Sequence, residues 1–326
     1  MSKYRSIHGF VLMSALTGCL IFSSTVSGAP RRGELVGWGD NSNGQTNVPA
    51  GNDFVAIAAG AYHGLALKSD GSLAGWGALI FDDGQANVPA GTGFAAIAAG
   101  TSHSLALKSD GSLVAWGYSA EGATNVPAGR DFVAIAAGSR HNLALKSDGS
   151  LAGWGIIGTT VPPGNDFVAI AAGFGFSLAL RSDGSLAGWG DNDYGQTSVP
   201  AGNDFVAVSG GLFHGLALRS DGSLAGWGFN CCGETNVPPG DDFVALAAGN
   251  RHSLALKSDG SLAMWGYNGN GLTNVPPGND FFAIAAGGYY YDLAIRQVPE
   301  PASLALLALA LPLLVWRHSR GSGSGQ

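Results

Sequence analysis

The sequence predicts an all-β fold, a seven-bladed β-propeller, and three observations point to it. Trp-Gly recurs at Trp38, Trp76, Trp116, Trp154, Trp189, Trp227 and Trp265, once every 35–40 residues. The same strand-like segments recur between those marks. The array also begins and ends on partial units that complement each other. A fixed period of this length marks a solenoid or a propeller, in which each unit buries its faces against its neighbours.

One full unit shows the elements. Phe54-Val55-Ala56-Ile57-Ala58-Ala59 is apolar at every position, as expected of a strand covered on both faces, and its small end suits the crowded axis of a ring. His63-Gly64-Leu65-Ala66-Leu67-Lys68 alternates in the period of two that marks a second strand. Ser69-Asp70-Gly71-Ser72 supplies the hairpin, with Gly71 free to take positive φ. Leu73-Ala74-Gly75-Trp76-Gly77 is the third strand, and its tryptophan is large enough to fill the wider outer gap between blades. A variable link ending in Asn-Val-Pro leaves room for three strands per blade and at most a fragment of a fourth.

The array enters on a third strand alone, Glu34 to Gly39, and leaves on a first and second, Phe282 to Gly287 and Asp292 to Arg296. Together these make one blade. The prediction for residues 33–297 is therefore a ring closed by the N-terminal strand pairing in the last blade, which leaves no open sheet edge.

The flanks read differently. Residues 1–29 have a basic start at Lys3 and Arg5, an apolar run and a small-residue site at Val26-Ser27-Gly28, the pattern of a secretory signal peptide. Leu16-Thr17-Gly18-Cys19 offers a rival reading as a lipoprotein box. Residues 298–320 begin Val298-Pro299-Glu300-Pro301, continue through apolar Ala302 to Trp316 and end in Arg317, His318 and Arg320. This tail resembles the PEP-CTERM sorting signal of exported bacterial proteins. The resemblance implies an exosortase-type processing enzyme, transient membrane anchoring through the hydrophobic segment and delivery to the envelope, surface or extracellular matrix. That segment, read as a transmembrane helix, is short against the roughly 20 residues a span needs. Residues 321–326 read as a flexible end.

The formal net charge is −7, and acidic residues outnumber basic ones between the flanks. No basic cluster is present to neutralise phosphates, which argues against nucleic acid as a partner.

The phrase Ile97-Ala98-Ala99-Gly100-Thr101-Ser102-His103-Ser104-Leu105-Ala106-Leu107-Lys108-Ser109-Asp110-Gly111 resembles the repeat of the regulator of chromosome condensation superfamily. The resemblance runs through residues 33–297. The short period and the Gly-Gln…Val-Pro links (Trp38 to Pro49, Trp189 to Pro200) are similar to those of bacterial members such as β-lactamase inhibitory protein II, whose blades have three strands. It implies a propeller that binds proteins and brings no catalytic residues. Nucleotide-exchange members work through an inserted wedge, which no repeat here contains.

Chemistry-bearing residues mostly recur with the scaffold. His63, His103, His141, His214 and His252 occupy one slot, with Phe176 and Tyr291 in the other two units. Equivalent slots are spread around a ring, so they read as structural rather than as a metal centre. Asp70, Asp110, Asp148, Asp183, Asp221 and Asp259 sit in the hairpins, and Asp53 and its equivalents read as turn-ordering residues before the first strand. No nucleophile–His–acid motif appears, so neither an enzyme nor a cofactor is expected.

Variation is confined to the loop after the first strand and the link after Trp-Gly, which the up-down-up strand order places on one face. That face carries Tyr62, Phe81, Asp82, Asp83, Tyr118, Glu121, Arg140, Phe174, Tyr194, Phe213, Phe229, Arg251, Tyr267 and Tyr290. Aromatics with scattered arginine make contact centres, and acidic neighbours favour a cationic partner. The expectation is a monomeric, exported binding module for a protein or matrix partner. Binding of an extracellular polysaccharide is the alternative, ahead of a β-lactamase-type inhibitor, an exchange factor or an enzyme. Cys231 and Cys232 lie in one link: an oxidising compartment would join them in a strained vicinal disulfide, and two free thiols are the other reading.

Overall fold

The computed structural model describes residues 31–298 apart from 157 and 158. The expected signal peptide and sorting tail lie outside the described residues. Among the described residues no helix is long and apolar enough to cross a membrane.

The described residues are all-β apart from one short 3-10 turn at Gly269–Gly271. Strand β1 (Gly33–Gly39) comes first. Three-stranded antiparallel units follow: β2 (Phe54–Ala59), β3 (His63–Lys68) and β4 (Leu73–Gly77); β5 (Phe94–Ala99), β6 (His103–Lys108) and β7 (Leu113–Gly117); β8 (Phe132–Ala137), β9 (His141–Lys146) and β10 (Leu151–Gly155). The pattern continues with β11 (Phe167–Ala172), β12 (Phe176–Arg181) and β13 (Leu186–Gly190); β14 (Phe205–Gly210), β15 (His214–Arg219) and β16 (Leu224–Gly228); β17 (Phe243–Ala248), β18 (His252–Lys257) and β19 (Leu262–Gly266). Last come β20 (Phe281–Ala286) and β21 (Tyr291–Gln297).

β21 pairs on one side with β20 and on the other with β1, in register from Gly33↔Gln297 to Gly39↔Tyr291. β1 also meets β2 at Gly33↔Phe54. Contact continues between the first and last units. The Gly288 N–H donates to the Gly60 carbonyl at 2.9 Å, and the Tyr291 hydroxyl lies 2.6 Å from the carbonyl of His63.

Each first strand carries an irregularity absent from the sequence-based expectation. Phe54 pairs with Lys68 but Ala56 pairs with Leu67, so Val55 is the extra residue of a β-bulge. The same shift recurs at the equivalent positions of the other first strands. A bulge turns two near-adjacent side chains to one side. Phe54 and Ala56 are both buried while Val55 is half-buried, and its equivalents Val168 and Val206 are exposed. The first strand is therefore not apolar on both faces for burial throughout.

No fourth strand forms among the described residues. The link instead folds back along the third strand, with Val48 near Gly37 and Val88 near Gly75. Tryptophan closes this outer layer. Trp38, Trp76, Trp116, Trp154, Trp227 and Trp265 donate their indole N–H to carbonyls of the preceding links at 2.8–3.0 Å.

The Ser-Asp-Gly-Ser hairpins behave as read. The Asp70 carboxylate accepts from Ser72 N–H and hydroxyl at 2.8 and 2.7 Å, and Gly71 sits at φ +80. Hydrogen bonds from the equivalent serine hold the six hairpin aspartates below the usual carboxylate range. The aspartates before the first strand do more than order turns. Asp53, Asp131, Asp166, Asp204 and Asp242 pair with the Lys or Arg ending the second strand, and these cations also lie over the first-strand Phe rings.

Candidate functional site

The two variable segments meet at one end of every unit. The residue after Trp-Gly donates its backbone N–H to the loop between first and second strand: Ala78 to Tyr62, Tyr118 to Ser102, Ile156 to Arg140, Phe229 to Phe213 and Tyr267 to Arg251, at 2.7–3.1 Å. The hairpins lie at the other end. The face inferred from strand direction is thus a physical surface stitched by backbone hydrogen bonds.

Its aromatics gather in two arrays. Phe81 stands 4.7 Å from Tyr62, which stacks on Tyr289 at 4.5 Å and 19°. Tyr289 meets Tyr290 edge-on, and Tyr290 meets Tyr267 at 4.7 Å. The second array joins Phe174, Phe213, Tyr194 and Phe229, with centroids 4.8–6.0 Å apart. Phe81, Tyr118, Phe174, Tyr194 and Tyr289 are exposed, whereas Tyr62, Phe213, Phe229, Tyr267 and Tyr290 are half-buried and form the base of the arrays. Tyr118 stands apart from both. Tyr289, Leu79 and Ile80 belong to the same exposed surface.

Burial and the Tyr289 hydroxyl raise the Tyr62 phenol above its usual range, and burial does the same to Tyr290. Both stay neutral donors at physiological pH. Tyr290 also holds φ +54 and Ala78 φ +60, a region that residues with a β-carbon seldom adopt. Such backbone strain concentrates where a surface has a task.

The acids are less available than their sequence positions imply. Glu121 is bound by Arg140 at 2.9 Å. Asp40 accepts from Ser42, Asp82 from the Gly84 N–H and Asp191 from the Asp193 N–H. Glu234 is buried. Asp83 and Asp193 remain exposed. Short-range turn formation thus consumes part of the charge that was read as complementarity for a cationic partner.

A role in the links escaped the sequence reading. Gln45, Gln85 and Gln196 are fully buried, and each accepts the backbone N–H two residues earlier at 2.7–2.8 Å. Glu234 does this in the cysteine link, accepting from Cys232 N–H at 2.8 Å. The repeated Gly-Gln dipeptide was the available signal.

Cys231 and Cys232 are not bonded to each other in the structure, and their sulfurs stand 2.9 Å apart. Hydrogen bonding to Cys232, burial and the Glu234 carboxylate push the Cys231 thiol up to about 11. Arg251 stands close enough to oppose that shift, and its buried Nε has no hydrogen-bond partner among the described residues.

The histidines are interior. His63, His103, His141, His214 and His252 are buried, and each Nε2 lies 2.7–3.0 Å from a side chain of the next unit: Ser104, Asn142, Ser177, Ser253 and Asp292.

The Regulator of chromosome condensation (RCC1) repeat matches residues 54–85, 94–123, 132–156, 167–196, 205–234 and 243–272. The chain is similar in structure to Prp20p from Saccharomyces cerevisiae, described with its binding to Gsp1p and histones, at 19% identity and TM-score 0.67 over 86% of this chain and 95% of that one. Human WBSCR16 is similar at 18% identity and TM-score 0.67, over 82% and 99%. The ectodomain of the Physcomitrella patens receptor kinase CR4 gives 23% and 0.64, over 75% and 71%. A search of curated proteins found no match. These likenesses show the fold, an RCC1-like β-propeller.

Proposed function

The chain belongs to the regulator of chromosome condensation (RCC1) repeat family, and on that premise we propose that it is an exported binding module that recognises a protein or matrix partner through its aromatic loop face. In this reading the ring has seven blades, the last built from β20, β21 and β1. The in-register β1–β21 pairing supports it, as do the bonds from Gly288 and Tyr291 to the first unit. A blade split between the two ends of the array also explains why contiguous repeats match six times.

The observation that carries the function is the contrast between the two ends of the units. One end repeats Ser-Asp-Gly-Ser almost unchanged, and the other gathers rings from distant parts of the chain into two partly exposed arrays. Aromatic clusters with neighbouring arginine are the contact centres of protein interfaces. At 18–23% identity the likenesses lend no partner. Export rests on the leader-like residues 1–29 and the Pro-Glu-Pro tail, which we propose is handled by an exosortase-type enzyme that delivers the monomeric module to the envelope or matrix.

The stacked Tyr62–Tyr289 platform also suits a sugar ring, which keeps extracellular polysaccharide as a second reading. Capture from a native envelope extract tests both. Changing the exposed Phe81, Tyr118, Phe174 and Tyr194 to Ala is expected to abolish capture while leaving the melting temperature nearly unchanged. Asp70→Ala and Asp148→Ala in the hairpins are expected to spare it. Capture that survives protease treatment of the extract but is competed by soluble polysaccharide would favour the sugar reading, and loss in the hairpin variants alone would overturn the face assignment.

A further inference from the structure

We propose that Cys231, Cys232 and Glu234 form a chelating site for a thiophilic divalent cation of the zinc or cadmium class, supplied by two thiolates and one carboxylate. One potential ligand atom from each residue lies within 4.8 Å of the other two. The Cys231 sulfur is 2.9 Å from the Cys232 sulfur and 3.8 Å from Glu234 Oε1. A tetrahedral ion holding sulfur at about 2.3 Å and oxygen at about 2.1 Å sets its ligand atoms roughly 3.6–3.8 Å apart. The carboxylate already stands at that separation from one sulfur, and a modest side-chain rotation of the exposed Cys231 opens the sulfur pair to it.

The repeat itself isolates what is unusual here. The residue equivalent to Glu234 is glutamine in Gln45, Gln85 and Gln196, where Oε1 accepts a backbone N–H. In two of those links the amide nitrogen then donates to its own loop, from Gln45 to Asp40 and from Gln85 to the Phe81 carbonyl. Glutamate keeps the first bond through Oε2 but has nothing to donate with the second. Its Oε1 instead faces the Cys231 sulfur from a side chain that is 1% exposed. A carboxylate replaces the amide in the same link that carries the adjacent cysteines.

The cysteine link keeps the backbone of the others: Asn230 bonds Asn236 and the Thr235 N–H across the turn and Gly233 takes positive φ, as Asn41 and Gly44 do in the first link. Two thiolates and a carboxylate bring three negative charges, and neighbouring Arg251 offsets one. A divalent cation neutralises the remainder. The sulfur-rich donor set selects against magnesium and calcium, which prefer all-oxygen shells.

The test uses the full chain, reduced with a phosphine and stripped of metal, titrated with cadmium chloride while the ultraviolet sulfur-to-cadmium charge-transfer band is followed. In a Cys19→Ser background one equivalent per chain is expected to saturate tightly, and this tight saturation is lost in Cys231→Ser and in Cys232→Ser. Glu234→Gln installs the residue found in three other links, Gln45, Gln85 and Gln196, and so keeps the fold. It should retain the band but weaken affinity about tenfold or more, since even outer partners of a metal contribute that much. No saturable band in the reduced parent would overturn the proposal. So would a serine variant, or a Glu234→Gln chain, that binds cadmium as tightly as the parent.

Discussion

The hydrogen bonds of the buried histidines fix their charge as well as their place. The Ser104 hydroxyl spends its one proton on the Gln85 carbonyl, so it can only accept from His63, whose Nε2 must carry the hydrogen. Asn142 and Ser253 impose the same tautomer on His103 and His214, since each donates to a carbonyl of the preceding link. Nδ1 of His63 is buried without a partner, so a second proton would be a buried charge with no acceptor. Burial first, with a neighbouring imidazole second, lowers His63 and His214 from 6.5 to about 3 and His141 to about 4. The folded state binds these protons less readily than the unfolded state. Their contribution is therefore complete above about pH 6.5 and is lost as pH falls toward 3–4, at about 1.4 kcal/mol per pH unit for each fully buried histidine. Between pH 7 and 5 the melting temperature is expected to fall, and to fall less steeply in the paired variant His63→Gln, His214→Gln. Equal slopes for parent and variant, measured by thermal unfolding across that range, would contradict this. The pairing was legible in principle. Where the residue after the slot is Gly64 or Gly215, the preceding unit carries Tyr291 or Phe176 instead of histidine. Seeing it requires comparing each unit with the next rather than with a consensus.

Strand identity and order were readable because the Trp-Gly spacing and the Ser-Asp-Gly-Ser hairpin are strictly local signals. The bulge at Val55 was not, because it depends on how Phe54 packs against the neighbouring sheet, and a fully apolar run has no period to betray it. The absence of a fourth strand follows from the link's own bonds: Gln45 turns the chain at Asn43, and Asn41 bridges to Thr46 and Asn47, leaving no extended backbone to pair. β1 is the element on which the arrangement depends most. It buries Leu35 and Trp38, and it covers the edge of β21, where Leu293 and Ile295 are fully buried. The Trp38 indole N–H also reaches the Leu272 carbonyl, far along the chain. Deleting Gly33–Gly39 is expected to lower the melting temperature strongly or to cause aggregation through the exposed edge. A shortened chain that melts like the parent would show that the fold does not rely on its N-terminal strand.

At the scale of the whole molecule, the repeats divide the sequence into a rigid scaffold and a variable rim. The hairpin end uses Asp70 and its equivalents for its own turns, and each Asp–Lys or Asp–Arg pair with its Phe ring closes the adjoining surface. These half-exposed pairs contribute little individually. They leave that end uniform. The opposite end was read as the varying face from strand direction alone, and its aromatics came from the links and from the loops after the first strand. Their division into two arrays was not legible, because Tyr62, Tyr267, Tyr289 and Tyr290 meet only when the first and last units lie side by side. Nor was the loss of charge to local turns at Asp40, Asp82 and Asp191, which sequence position cannot distinguish from free carboxylate. We propose that recognition belongs to this rim. Hydrogen exchange of the full chain with and without its captured partner reports on both ends at once. Slowed exchange is expected at the loops around Tyr62, Phe174, Phe213 and Tyr289 and at the links after Trp76 and Trp189, with the hairpins at Asp70 to Asp259 unchanged; slowing confined to the hairpins would move the recognition face to the other end.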